Sequence, residues 1–197
     1  MKETVSMNFV TRTEKTKGAN NSLRKNGYLP GSIYGKGITP LSIAVRKDEL
    51  RKHVNKYGRN SIYKLEDGSQ KPITVMIKEI QVSPVSHEYN HVDFQQVSLS
   101  EEIKTELLIR VTGMDLLESK HLFLNRQLDS ILVTGLPQAI PEAVEIDVSG
   151  LSAGDVVKVG DLKLPEGIHL ELNPEQVILS ANEAKTPTEP EREPEQE

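Results

Sequence analysis

Residues 22–35 read SLRKNGYLPGSIYG and combine the end of a helix, a turn signal and the start of a strand. A short helix is predicted at 20–26, with Asn20 or Asn21 as its N-cap and Gly27 as its stop. The Leu-Pro-Gly sequence at 29–31 predicts a turn, and residues 32–35 predict a short strand. This stretch therefore predicts a helix joined by a tight turn to a β-domain.

Alternating apolar residues on both sides of this stretch predict more strands. They lie at 5–12, 41–46, 61–65, 72–82 and 91–97, with a hairpin turn at 66–68. Residues 47–57 instead place Leu50, Val54 and Tyr57 at helical spacing, and Gly58 ends that helix. The order of elements predicts a mainly β (α+β) fold, in which an antiparallel β-barrel carries two short helices.

The second half is predicted to form another β-rich domain, because short apolar runs alternate with Gly, Pro and Asp. Strands are expected at 103–111, 122–128, 130–133, 143–148, 156–159 and 177–180. The last fourteen residues, AKTPTEPEREPEQE, hold three prolines and five glutamates, a composition typical of disorder. We therefore predict a β-barrel domain at 1–97, a β-rich domain at 98–183 and a disordered acidic tail at 184–197.

Charge differs sharply between the two halves. Residues 1–97 hold 16 Lys/Arg and 9 Asp/Glu, a net charge of +7, whereas residues 98–197 hold 8 and 20, a net charge of −12. Seven of the eight aromatic residues lie in the basic half. A basic segment rich in aromatics is typical of nucleic-acid binding, although a plain solvated surface gives the same count. The acidic half is expected to contact something else, with a protein partner as the alternative function.

Other classes of function find little support in the sequence. The chain has no cysteine, no run of about 18 apolar residues and no apolar signal segment, so a soluble cytoplasmic protein without a membrane partner is expected. Phosphate-loop, zinc-protease and nucleophile-elbow motifs are missing, so no enzyme activity, cofactor or small-molecule substrate is predicted.

Two groups of residues are candidates for catalytic or metal-binding sites. His87 and His91 are four residues apart, but on a strand that spacing separates them by roughly 13 Å, too far to chelate one ion. Asp147, Asp155 and Asp161 sit beside Gly or Ser, where aspartate typically caps backbone N–H groups in turns. We predict that neither group is a catalytic or metal site.

Four motifs, in order along the chain, carry a family resemblance. They are the stretch at 22–35, HVDF at 91–94, LPQAIPEAVEIDVSGL at 136–151 and DLKLPEG at 161–167. Together they resemble the bacterial large ribosomal subunit protein twenty-five family in its long form, which includes general stress protein Ctc. The resemblance implies a structural ribosomal protein whose N-terminal β-barrel binds 5S rRNA. It also implies a C-terminal domain that contacts neighbouring ribosomal proteins or rRNA, and a stress-associated role is the alternative.

The resemblance also implies which residues meet the RNA. The candidates are Arg12, Lys17, Arg24, Lys25, Tyr34, Gln81, His91 and Asp93. The cations, with the N–H groups of the first helix near Asn20 and Asn21, are expected to bind phosphates. Tyr34 is expected to stack or donate, and Gln81 to reach a base edge. Asp93 is expected to accept from guanine or cytosine N–H groups with His91 beside it, while Val92 and Phe94 point into the core.

This sequence departs from the family pattern in two places. Asn21 and Ser22 stand where some members carry arginines, so phosphate affinity is expected to be lower unless Lys17 and Lys25 offset the loss. Residues 116–124 read LLESKHLFL where members often have a glycine-rich stretch, so a different local shape is expected there.

Overall fold

The structure is a computed structural model that describes residues 4–68, 71–119, 122–165 and 167–183. The predicted acidic tail at 184–197 lies outside these residues. The fold is mainly β with few helices, as predicted. Within the described ranges, every helix is too short or too polar to cross a bilayer.

Six strands of the first half close into a barrel, as expected from the alternating pattern. They are β1 (Val5–Thr11), β2 (Tyr28–Tyr34), β3 (Leu41–Arg46), β4 (Ile62–Glu66), β5 (Ile73–Val82) and β6 (Tyr89–Gln96). The order around the barrel is β1-β3-β2-β6-β5-β4. The β1–β4 and β2–β6 ladders are parallel and the other four are antiparallel, a distinction that side-chain alternation cannot reveal.

The barrel interior is filled by the apolar residues that alternate along each strand. Val92 and Phe94 of β6 are fully buried, as predicted, and they pack with Leu29, Ile33 and Tyr63. Each such side chain contributes roughly 1.5–3 kcal/mol when it leaves water. Because Val92 and Phe94 point inward, the residues between and beside them must face outward.

The predicted turn at 29–31 is wrong, because these residues lie inside β2 and are buried. Gly31 faces Val92 across the parallel β2–β6 ladder. A Cβ atom on Gly31 would lie 2.7 Å from the carbonyl oxygen of Val92 and 2.9 Å from its Cγ1. Glycine is therefore required by close strand approach rather than by a turn, which a single sequence does not distinguish.

Two helices lie on the barrel, and one of them begins earlier than predicted. Helix α1 (Lys17–Lys25) has Thr16 as its N-cap, whose hydroxyl accepts from the N–H of Ala19 at 3.3 Å. Asn20 or Asn21 as N-cap is therefore wrong, and both residues lie within the helix. Helix α2 (Lys47–Tyr57) has the predicted bounds and ends at Gly58 with φ of 79°.

The second half contains seven strands, one α-helix and one turn of 3-10 helix at Val159–Asp161 in the described residues. The strands and the α-helix are β7 (Ile103–Thr112), α3 (Met114–Ser119), β8 (Leu122–Arg126), β9 (Ser130–Gly135), β10 (Ala143–Asp147), β11 (Val156–Lys158), β12 (Ile168–Leu170) and β13 (Val177–Glu183). The sheets have the orders β10-β7-β9-β12 and β11-β13-β8. Sequence patterns missed α3 and β12, which are too short to show a period. The stretch that replaces the family's glycines contributes to α3 and β8.

By compactness the chain divides into two units. The first contains residues 4–108, 130–144 and 163–172, so it holds the barrel together with β9 and β12. Within it, Asn60 is buried, and its Nδ2 donates to the carbonyl of Glu106 at 3.1 Å. The hydroxyl of Thr105 donates to the Asn60 Oδ1 at 3.4 Å. Asn60 thus links the segment after α2 to β7.

The second unit contains residues 109–129, 145–162 and 173–183. Ile178 and Leu179 of β13 are fully buried. The side chains of Asp147, Asp155 and Asp161 accept from nearby backbone N–H groups at 2.8–2.9 Å. The prediction that these aspartates cap turns is therefore confirmed. The Asp147 carboxylate accepts hydrogen bonds from the backbone N–H and the side chain of Ser149, and they hold its pKa below the usual value.

Candidate nucleic-acid interface

Strand β6 lies between β2 and β5 and presents its polar residues to the outside of the barrel. Asp93 is opposite Ser32 of β2 on one side and opposite Glu79 of β5 on the other. His91 is opposite Gln81 of β5. We call the outer face formed by Ser32, Tyr34, Glu79, Gln81, His91 and Asp93 the β6 surface. It brings together four of the eight predicted RNA-binding residues.

His91 and Asp93 form the centre of the β6 surface. Their side chains are 25% and 21% exposed, and the Nδ1 of His91 lies 3.5 Å from the Oδ1 of Asp93. That distance is at the limit of a contact, and the buried Nδ1 makes no hydrogen bond. Among the described residues no hydrogen bond reaches the Asp93 carboxylate, so its acceptor sites are available to a ligand.

Tyr34 lies at the end of β2, beside the same carboxylates. It is 36% exposed and is opposite Gln95 across the β2–β6 ladder. Burial raises the pKa of the Tyr34 hydroxyl, and the negative charges of Asp93 and Glu79 raise it further. The hydroxyl therefore keeps its proton at neutral pH and remains a hydrogen-bond donor.

Arg12 directly follows β1 and joins three elements. Its Nε donates to the carbonyl of Ile43 at 2.7 Å, one terminal nitrogen to the side-chain oxygen of Asn20 at 2.5 Å, and the other to the carbonyl of Gly31 at 3.3 Å. Burial lowers the pKa of Arg12, and the charge of Arg24 lowers it further. Arg12 thus connects α1 to β2 and β3 through these hydrogen bonds. That Arg12 also binds an RNA phosphate remains a prediction.

Arg24 fastens the other end of α1. Its Nε and one terminal nitrogen both donate to the carbonyl of Asn90 at 3.1 Å, next to the β6 surface. The remaining terminal nitrogen donates to the side chain of Asn21 at 3.2 Å. No residue of α1 is fully buried, and the hydrogen bonds of the two arginines connect this helix to β2, β3 and β6.

The two predicted lysines of α1 are free of protein partners among the described residues. Lys17 and Lys25 are the first and last residues of the helix and are both exposed. Eight residues of helix separate them, a rise of about 12 Å. The predicted N–H donors near Asn20 and Asn21 are misplaced, because the helix begins at Lys17.

Sequence patterns missed several residues of this site. Ser32, Glu79 and Gln95 reach the surface around Asp93 only through strand pairing, and Asn90 contributes a backbone carbonyl. No local pattern marks them, because the parallel β2–β6 ladder joins residues about sixty positions apart. The motifs at 22–35 and 91–94, which contain Tyr34, His91 and Asp93, were the signals that pointed to this surface.

Two family models match the chain, one in each half. That of the Ribosomal L25p family covers residues 7–94, and that of the ribosomal protein TL5 C-terminal domain covers residues 102–185. The large ribosomal subunit protein bL25 of Lachnoclostridium phytofermentans is 50% identical over 185 residues, which cover 94% of this chain and 96% of that protein. The chain belongs to the bL25 family.

Other members show the same near-complete coverage. The bL25 protein of Pelotomaculum thermopropionicum is 35% identical over 187 residues, covering 93% of this chain and 90% of its own. That of Caldanaerobacter subterraneus is 36% identical over 179 residues, covering 90% and 89%. The chain is accordingly a structural protein of the large ribosomal subunit and not an enzyme, which confirms the predicted resemblance and its place on the ribosome.

Proposed function

We propose that this protein binds 5S rRNA through the β6 surface and helix α1. The observation that supports this most directly is the Asp93 carboxylate, which is partly exposed and accepts no hydrogen bond from a described residue, on the same strand as the Asn90 carbonyl that binds Arg24 of α1. The 5S rRNA as the partner comes from the family resemblance at residues 22–35 and 91–94. The surface chemistry agrees with it.

A carboxylate at an RNA interface indicates a contact to bases and not to phosphates. Phosphates repel it, so it lowers affinity unless it accepts hydrogen bonds from base N–H groups. Asp93 can accept from guanine or cytosine, and Glu79 opposite it adds a second acceptor. Tyr34 and Gln81 add donors on either side. This arrangement is suited to reading base edges in the wide, shallow minor groove of an RNA helix.

Helix α1 supplies the sequence-independent part of the contact. Lys17 and Lys25 extend from its two ends, where they can meet phosphates on one strand. Arg12 and Arg24 set the position of the helix beside the β6 surface. Each retains N–H donors beyond the bonds already made, since a guanidinium carries five. In this proposal the arginines position α1, the lysines attract the phosphates, and Asp93 selects the bases.

The proposal is tested by titrating the full chain against 5S rRNA and against a scrambled duplex of equal length, at two salt concentrations. The wild-type protein is expected to prefer 5S rRNA. Asp93→Ala should reduce that preference by about five- to 150-fold, the equivalent of one base contact worth roughly 1–3 kcal/mol. Its salt dependence should be unchanged, because no phosphate contact is lost.

A matched variant, Asp67→Ala, removes the same charge at the β4–β5 turn, away from the β6 surface. It should bind like the wild type. Equal weak binding of both RNAs by the wild-type protein would contradict the proposal, as would an equal effect of the two substitutions.

We also propose that the acidic second half contacts a protein neighbour in the large subunit. The specific observation is an exposed apolar group in the second unit. Phe123 on the edge strand β8 is 51% exposed, and Met114 and Leu116 of α3 are 40% and 54% exposed. A photo-crosslinker placed at Phe123 in intact subunits should label a ribosomal protein. Labelling of rRNA alone would rule this out.

A further inference from the structure

The positive charge of the first half is concentrated in two segments. Residues 12–25 have a net charge of +4, and so do residues 46–59, whereas the whole of 1–97 has a net charge of +7. The first segment is α1 with its flanks and belongs to the proposed 5S site. The second is α2 with its flanks, and nothing in that site uses it.

Helix α2 has one apolar face and one cationic face. Leu50 is fully buried, and Val54 and Tyr57 pack against the barrel core. The side chain of Lys56 lies over the Tyr57 ring, with Nζ 4.8 Å from its centre. The opposite face and the flanking residues expose four cations, Arg46, Arg51, Lys52 and Arg59.

These cations are poorly neutralised within the protein. Lys47 forms an ion pair with Glu88 at 2.7 Å. The hydrogen bond and the charge of Lys47 lower the pKa of Glu88, and the charge of Arg51 lowers it further. In the described ranges, Arg46, Arg51, Lys52 and Arg59 form no ion pair with a carboxylate. Asp48 and Glu49 are the two acids of the segment, against six basic residues.

The charges of α2 cancel only in part. Lys52 and Lys56 are four residues apart, a spacing at which like charges repel, whereas Asp48 lies four residues before Lys52, a spacing at which opposite charges attract. Because cations outnumber acids in the segment, a polyanionic nucleic acid can bind there and release its counterions.

The start of α2 lies next to the segment that follows α1. The N–H of Lys47 donates to the carbonyl of Gly27 at 3.0 Å, and Arg46 is opposite Tyr28 in the β2–β3 ladder. The exposed cations Lys25 and Arg46 are therefore each within two residues of this contact.

We propose that α2 is a second contact for the ribosomal RNA backbone, separate from the bases that Asp93 reads. This rests on the proposed RNA-binding function and extends it to another face of the barrel. The helix is about 16 Å long, enough to follow several phosphates. Contacts to phosphate oxygens carry no sequence information, so α2 would bind the RNA without sequence selection.

The test compares two double variants of the full chain that lose equal charge. Arg51→Gln with Lys52→Gln removes two exposed cations of α2, and Lys64→Gln with Lys71→Gln removes two exposed lysines, one in β4 and one just before β5. Three targets are used, namely isolated 5S rRNA, protein-free large-subunit rRNA, and large subunits that lack this protein. The exposed positions leave the barrel core untouched, and tyrosine fluorescence confirms folding.

The α2 variant is expected to bind RNA about tenfold more weakly near 0.1 M salt. The slope of log affinity against log salt should fall by about 1.5, the value for two lost phosphate contacts. Its preference for 5S rRNA over a scrambled duplex should not change. Arg51→Lys with Lys52→Arg should keep full affinity, because charge is conserved. The RNA target that shows the loss identifies the segment that α2 contacts.

Equal affinities of the two double variants on every target would overturn the inference. A loss seen only with the large subunits that lack this protein, and with neither free RNA, would also overturn it, by assigning the α2 face to a ribosomal protein. Failure of the proposed 5S function looks different, because the wild-type protein would then show no preference for 5S rRNA.

Discussion

Arg12 provides the sharpest test of how the interface is built. We consider Arg12→Met, which keeps a long apolar side chain and removes every donor. Its three hydrogen bonds to Ile43, Asn20 and Gly31 are lost together, and α1 has no fully buried residue to compensate. Helix α1 should therefore loosen from the barrel even though the core is intact.

The magnitude follows from these bonds. A hydrogen bond contributes about 1 kcal/mol net, and more when the donor is charged, but Arg12 is half-exposed and water can replace part of the loss. We expect the free energy of unfolding of the barrel to fall by roughly 2–3 kcal/mol. For a chain of this size that corresponds to a decrease in Tm of about 4–12 °C.

The assay is urea unfolding of the full chain followed by tyrosine fluorescence. All five tyrosines lie between residues 28 and 89, so the signal reports on the barrel alone. Arg12→Lys should recover little of the loss, because one ammonium cannot span three acceptors fixed in a fork. Lys17→Gln with Lys25→Gln serves as the control and should leave stability unchanged.

A stability loss below about 0.5 kcal/mol in Arg12→Met would refute the positioning role, as would full recovery by lysine. In that case the bonds to Ile43 and Gly31 would be replaceable by water. Arg12 would then act as a simple phosphate ligand, and its loss should appear only in the salt dependence of RNA binding.

Three further substitutions test the packing of the first unit. Asn60→Ala should cost about 1–3 kcal/mol in urea unfolding, because the carbonyl of Glu106 loses its side-chain donor, while a cost near zero would show that water takes its place. Gly31→Ala should cost about 1–3 kcal/mol, because its Cβ meets the Val92 carbonyl, and normal stability would mean that the strands move apart freely. Burial first, and then nearby charge, raise the pKa of Tyr63 above its usual value of 10.0, so its contribution to stability is complete below pH 10 and is lost as pH rises further. Tyr63→Phe should lose the 3.0 Å bond to Gly58, about 1 kcal/mol, and should flatten the alkaline fall in stability, whereas an unchanged alkaline slope would assign that fall to other groups.

Part of the interface could be predicted because its signals are local. The motif at 91–94 placed Val92 and Phe94 in the core, which fixed His91 and Asp93 on the outside by the two-residue period of a strand. The spacing of Leu50, Val54 and Tyr57 likewise fixed the bounds of α2. Charge counting separated a basic half from an acidic half.

Other features were missed because the same residues fit two local structures. Pro30 and Gly31 are typical of a turn, yet here they belong to β2, where glycine makes room for the Val92 carbonyl. The start of α1 was misplaced because Thr16 and Asn20 are both good N-caps. Only the structure shows that the Asn20 side chain accepts a hydrogen bond from Arg12 and does not cap the helix.

The sequence by itself determined the mainly β class, the family, the opposite net charges of the two halves and the outward face of β6. These depend on composition, short periods and contiguous motifs. The tertiary structure decided which distant residues join that face, because parallel pairing of β2 with β6 sets Ser32 beside Asp93. It also decided that Arg12 and Arg24 bind the protein's own carbonyls, since a guanidinium carries the same charge in either role and only its neighbours in space distinguish an anchor from a free phosphate ligand.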